Sequence, residues 1–262
     1  MDKHTIWGVL GGMGPVASAE FLKTIYDCSH TVREQDLPIV VLLSDPTFPD
    51  RTELLQNGRK SALLDRLTDG LNKLISVGCG RVVICCMTIH TLLPLLHRNL
   101  QEAVVSMTEV LLREAARASG RYLMLCSEGS RQQRLYETHP LWNSAAHTII
   151  FPDSDNQKRI HQAIYRIKNG RCGSLEFDLL RELRAKYDAG FIAGCSEIHV
   201  LLKRARETLD QLEFSYLDPF LVIADEIRNS ASPSTTRRPA AQVFGEEFSG
   251  RSVAAEDINR HH

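Results

Sequence analysis

Short apolar runs rich in β-branched residues recur at 5–10, 38–43, 81–86, 121–126, 147–151 and 191–193, and most of the stretches between them carry apolar residues at helical spacing. That alternation predicts parallel sheets covered by helices, an α/β fold. The segment 15–30 begins with Pro15 behind a glycine-rich turn, which suits a first helical position, and 62–77 places Leu63, Leu64, Leu67, Leu71, Leu74 and Ile75 on one stripe. Both are expected to pack on a sheet. From Ser230 onward the chain turns to Ser, Pro, Thr, Arg and scattered acids, so 231–262 is expected to be a mobile tail.

Composition narrows the functional classes. With 262 residues, 43% hydrophobic and a net charge of −1, the chain can build one large domain or two small ones, and it has no broad basic field for a nucleic-acid backbone or an anionic membrane. A small molecule is the expected partner. No run reaches the ~18 apolar residues of a membrane span, and residues 1–5 lead straight into a strand, so a cytoplasmic location is expected. Seven cysteines, at 28, 79, 85, 86, 126, 172 and 195, form no CxxC pair and read as free thiols.

Two of these cysteines stand in a repeat. Cys86-Met87-Thr88-Ile89-His90-Thr91-Leu92-Leu93 aligns with Cys195-Ser196-Glu197-Ile198-His199-Val200-Leu201-Leu202, with five of eight positions identical. Each copy follows an apolar strand and leads into a helix, which puts both thiols at the carboxyl end of a strand, where α/β sheets bind ligands. The helix N-terminus also favours thiolate, and its dipole is expected to lower both thiol pKa values. Two like thiols facing one crevice suit transfer of a proton between the faces of a chiral α-carbon, because acid and base exchange roles when the enantiomer is bound. The remaining cysteines, Cys28, Cys79, Cys126 and Cys172, read as packing residues, as does Cys85, which strand alternation turns away from Cys86. No metal site is expected, since His90 and His199 would need both halves to converge on one ion.

Together with these motifs, Gly11-Gly12-Met13-Gly14-Pro15, Asp50-Arg51-Thr52, Ser127-Glu128-Gly129-Ser130, Ile167-Lys168-Asn169-Gly170 and Gly194-Cys195-Ser196-Glu197 occur in order over about residues 5–230. In these the chain resembles the aspartate/glutamate racemases, most closely the aspartate racemase branch. The resemblance implies two pseudo-symmetric domains, each a parallel sheet flanked by helices, with the active site in the cleft between them. On that division residues 1–103 with 208–230 carry Cys86 and 104–207 carry Cys195. It further implies racemisation of a free amino acid, aspartate or glutamate, without pyridoxal phosphate or other cofactor, by Cys86 and Cys195 as alternating base and acid. Homodimers are common in that family.

The same resemblance assigns substrate contacts to Met13, Arg51, Met87, Thr88, Ile89, Ser130, Lys168, Ser196 and Glu197, with Arg51 and Lys168 holding carboxylates. An arginine fork and a lysine point charge suit that task. Read as residues alone, Arg51 also fits a solvated turn, Lys168 a helix C-terminus, and Ser127 or Ser130 a helix cap. The glycine turn lacks the phosphate-binding spacings and reads as backbone approaching the substrate, with Met13 in the wall. His90 and His199 read as structural. The family's first motif is Cys-Asn-Thr, so Met87 replaces an amide with an apolar thioether; Ser196 replaces a threonine. These departures leave the thiols in place and keep open hydantoin racemisation, maleate isomerisation, malonate-type decarboxylation, and a non-catalytic amino-acid-binding role.

Overall fold

Fully apolar strands such as Ile6–Gly11 have no polar face to offer water, so each must be covered on both sides, and helices supply the cover. A computed structural model describes residues 5–29, 33–208 and 214–231. It contains eight strands: β1 (Ile6–Gly11), β2 (Val40–Ser44), β3 (Cys79–Ile84), β4 (Val104–Val105), β5 (Tyr122–Cys126), β6 (Ile149–Ile150), β7 (Gly190–Gly194) and β8 (Tyr216–Leu217). They form two parallel sheets in the same order, β2-β1-β3-β4 and β6-β5-β7-β8. The two orders make β3 and β7 counterparts, and these are the strands that lead to Cys86 and Cys195. β4, at 104–105, belongs to the first sheet and β8, at 216–217, to the second.

The helices are α1 (Pro15–Asp27), α2 (Arg51–Gln56), α3 (Lys60–Ser76), α4 (Arg98–Ala103), α5 (Met107–Arg117), α6 (Glu128–Gln132), α7 (Trp142–Ala145), α8 (Ser154–Lys168), α9 (Ser174–Tyr187), α10 (Ser196–Thr208) and α11 (Pro219–Ala231), with 3-10 turns at Glu34–Asp36 and Thr88–Leu95. Alternation along the strands sorts their side chains into three layers. Leu10, Val82 and Ile84 face outward from the first sheet onto the α3 stripe, where Leu63, Leu67, Leu71 and Leu74 are at most 1% exposed. Burying each such side chain stabilises the fold by about 1.5–3 kcal/mol. Leu123, Leu125, Phe191 and Ala193 face outward from the second sheet onto α8, α9 and α10.

The inner faces share one layer. Trp7, Val9 and Val83 from one sheet and Tyr122, Met124 and Ile192 from the other belong to a single cluster with apolar residues of α1, α5 and α11. Phe21 and Phe220 meet edge to face there at 4.7 Å, tying α1 to α11. Ser230 remains in the last helix, where its hydroxyl accepts from the Trp7 indole at 3.0 Å. Of the segment expected as a tail, residues 232–262 lie outside the described residues. No helix among the described residues is long and apolar enough to cross a membrane.

Candidate active site

Cys86 comes two residues after β3 and Cys195 directly after β7, and both are nearly buried, at 5% and 6% exposure. Cys85 points the other way, into the layer between the sheets, as alternation requires. The two copies of the repeat then diverge. After Cys86 the chain winds as a 3-10 turn that contains Pro94, whereas after Cys195 it enters the 13-residue α10. Proline lacks the N–H an α-helix needs and crowds the preceding turn, which accounts for the short first copy.

The two histidines hold their turns rather than face one another. His90 accepts the Met107 N–H at Nε2, 3.2 Å, so its Nδ1 carries the proton and donates to the Cys86 carbonyl at 2.9 Å. Burial lowers its pKa to about 4, keeping the ring neutral. His199 Nδ1 lies 2.6 Å from Asp218, whose other carboxylate oxygen accepts the Phe220 N–H at the start of α11, and its Nε2 lies 2.9 Å from the Thr24 hydroxyl. It therefore pins α10 to α11 and α1.

Arg51 stands beside Cys86. Asp50 caps α2 by accepting the Glu53 N–H at 2.9 Å, which places Arg51 at the first helical position. From there its guanidinium donates to the Met13 carbonyl at 2.6 Å and the Pro49 carbonyl at 3.0 Å, and its charge lies beside the Cys86 sulfur. Burial works against its charge, yet Cys86, Asp50 and Glu197 outweigh that and hold its pKa above the ordinary value. Its Nε is buried with no partner among the described residues. The sequence alternative of a solvated turn does not describe a side chain so enclosed.

Cys195 has the opposite neighbour. Its thiol donates to Glu197 Oε2 at 2.9 Å, and Ser196 donates to the same oxygen at 3.1 Å. Burial pushes the Cys195 thiol well above its usual range, Glu197 pushes it further, and Lys168 opposes them. The expected lowering by the helix terminus is thus overturned here, because desolvation and an adjacent carboxylate exceed a partial helix charge. Glu197 Oε1, also buried, has no hydrogen-bond partner among the described residues. A Cβ on Gly14 would fall 2.5 Å from that oxygen and 3.5 Å from Lys168 Cγ, so only glycine permits the three to meet.

Further contacts join residues from the two sheets around this junction. Thr88 Oγ1 lies 2.9 Å from Ser127 Oγ and 3.0 Å from Ser130 Oγ, themselves 3.1 Å apart, a buried triangle of hydroxyls. Ser127 also caps α6, as one sequence reading had it. Tyr165 donates to Asp50 Oδ2 at 2.6 Å, with the Lys168 ammonium 4.3 Å from its ring centroid. Gly129 lies against Thr52, where a Cβ would meet Oγ1 at 2.6 Å.

Arg51, Thr88, Ser130, Lys168, Ser196 and Glu197 are thereby brought to the region of the two cysteines. Met13 joins through its carbonyl, its side chain lying in the outer cluster with Cys86 and Ile89. Met87 turns into the layer between the sheets, so the thioether that replaces the family's amide is used in packing. Sequence reasoning did not single out Tyr165, although its place three residues before Lys168 on one helix was a signal. Tyr136, fully buried beside Gly194, had no such signal. Among the described residues no group of three His, Cys, Asp or Glu side chains is arranged to hold a metal ion.

Residues 10–227 match the family model for Asp/Glu/Hydantoin racemase. Among solved structures, an aspartate racemase from Picrophilus torridus superposes with a TM-score of 0.72 at 19% identity, covering 87% of this chain and 94% of the other. An aspartate racemase homologue from Pyrococcus horikoshii gives 0.65 at 17% identity, covering 88% and 100%. A glutamate racemase from Francisella tularensis, solved with D-glutamate, gives 0.61 at 13% identity, covering 90% and 86%. At these identities the likeness is one of fold.

Proposed function

Because the chain belongs to the Asp/Glu/hydantoin racemase family, we propose that it racemises a free amino acid, aspartate or glutamate, with Cys86 and Cys195 as the two proton-transfer groups. The observation that carries this reading is the unequal electrostatics of two equivalently placed thiols: a buried guanidinium stands beside one sulfur and a carboxylate accepts from the other. Cys195, whose proton is held by the carboxylate, is the acid, and Cys86 takes the part of the base. The pair then holds one base and one acid on opposite sides of a substrate carbon.

In one direction the Cys86 thiolate takes the α-proton, and the electron pair left on carbon delocalises into the α-carboxylate. Cys195 then delivers its proton to the opposite face. The site is left with thiol at Cys86 and thiolate at Cys195, the form that accepts the product enantiomer and reverses the steps. Thiolate basicity is small against so weak a carbon acid, so most of the stabilisation must come from fixed charges and donors around the carboxylate. Two of the buried polar atoms without partners among the described residues lie at this site and fit a zwitterion: Arg51 Nε would donate to a carboxylate and Glu197 Oε1 would accept from the ammonium. Lys168 supplies the second cation for a dicarboxylate.

The reading takes the enzyme as a cytoplasmic homodimer needing no pyridoxal phosphate, its site lying between halves 1–103 with 208–230 and 104–207. It is tested by incubating each enantiomer of aspartate, glutamate and a panel of other amino acids in deuterated water. Loss of optical rotation with deuterium at Cα, for an acidic amino acid, supports it. Binding without exchange, or products of changed mass beyond the label, would instead mark a binding protein or a decarboxylase.

A further inference from the structure

Tyr136 is fully buried, lies outside the repeat, and touches the chain immediately before Cys195: its hydroxyl donates to the Gly194 carbonyl at 2.7 Å. That approach determines the residue type at 194. A Cβ there would fall 2.9 Å from the Tyr136 oxygen and from Cys126 Cβ and 2.5 Å from the Met124 sulfur, whereas the equivalent position in the first copy carries the Cys85 side chain. The Ser130 hydroxyl lies beside the phenol and is itself 3.0 Å from Thr88 Oγ1, two residues past Cys86.

We infer that Tyr136 is the positioning residue of the second thiol, fixing the Gly194–Cys195 peptide so that the sulfur meets the Glu197 carboxylate at the start of α10. The Glu197 carboxylate and the Glu197 N–H pull the thiol in opposite directions, the first against the thiolate and the second in its favour. Small rotations of the peptide change their balance. In the absence of the phenol hydroxyl, Gly194 keeps its place in the sheet but the turn at Cys195 loses its anchor. Tyr136 touches neither the substrate nor a reacting atom, and acts through Cys195.

The inference rests on the racemase reading only for its catalytic meaning, and its test does not need a substrate. The full-length protein and its Tyr136→Phe variant are alkylated with iodoacetamide across a pH series, with each cysteine followed separately by peptide mass spectrometry. The variant is expected to change the rate or the pH midpoint at Cys195 by about three- to tenfold, the scale of one lost hydrogen bond, and to leave Cys86 within about twofold. If racemisation is detected, kcat is expected to fall more than KM rises. Equal changes at both cysteines, or none at either in a folded variant, would overturn it. Should Tyr136→Phe fail to fold, Ser130→Ala removes the hydroxyl packed beside the phenol and is judged by the same Cys195-selective change.

Discussion

Arg51→Lys keeps a positive charge beside Cys86 while removing the planar fork that spans two carbonyls. Arginine makes charge-assisted bonds of 2.6 Å to Met13 and 3.0 Å to Pro49. A lysine ammonium on its shorter stem can reach one acceptor, leaving the other carbonyl unpaired in a site where Arg51 is only 7% exposed. One lost bond to a charged group costs about 1.5–3 kcal/mol, which in a chain of this size corresponds to a fall in Tm of roughly 3–12 °C. Because the Met13 carbonyl belongs to the turn between β1 and α1, its release also loosens the approach of Gly14 to Glu197. Racemisation is expected to drop by about a hundredfold, the scale of losing one well-placed electrostatic donor. Thermal unfolding measured beside α-proton exchange tests both halves. An Arg51→Lys variant with unchanged Tm and full exchange would refute the claim that the guanidinium holds this turn and serves the thiol.

Two further outcomes follow from the charges of the site. Replacing Glu197 by Gln removes the carboxylate that disfavours the Cys195 thiolate, so alkylation of Cys195 is expected to extend to lower pH, and an unmoved or upward-moving profile would remove Glu197 from that role. His90, lowered to about 4 from 6.5, stays neutral in the folded protein while the unfolded chain takes up a proton below pH 6.5. Stability is therefore expected to fall as pH drops from 6.5 toward 4, by up to about 3 kcal/mol from this group, and His90→Gln should flatten that part of a Tm-against-pH curve.

Much of the architecture was readable before any coordinates, and the exceptions have identifiable physical causes. Six strands were visible because parallel strands buried on both faces are continuous apolar runs; β4 and β8, two residues each, are too short to show periodicity. The Cys-x-x-Ile-His-x-Leu-Leu repeat located both thiols, and matching sheet orders gave that repeat its geometric basis. What it could not convey was the inequality of the copies. Helix termini are legible as local patterns, whereas the turn of the Glu197 carboxylate onto Cys195 depends on burial and the guanidinium beside Cys86 is brought from elsewhere in the chain. Met87 illustrates the converse: a departure beside the first thiol is visible in sequence, yet its direction, into the layer between the sheets, is decided by packing. Tyr136 acts through a single long-range bond, which leaves no periodic trace.

The central claim is that two cysteines exchange one proton with the two faces of a carbon. It is tested most directly by Cys86→Ser and Cys195→Ser variants, each given L- and D-aspartate and L- and D-glutamate in deuterated water with Cα exchange followed by proton NMR. The account predicts that racemisation is lost in both variants and both directions, since serine is far too weak an acid to exchange roles with a thiol. Either variant retaining full racemisation would contradict it.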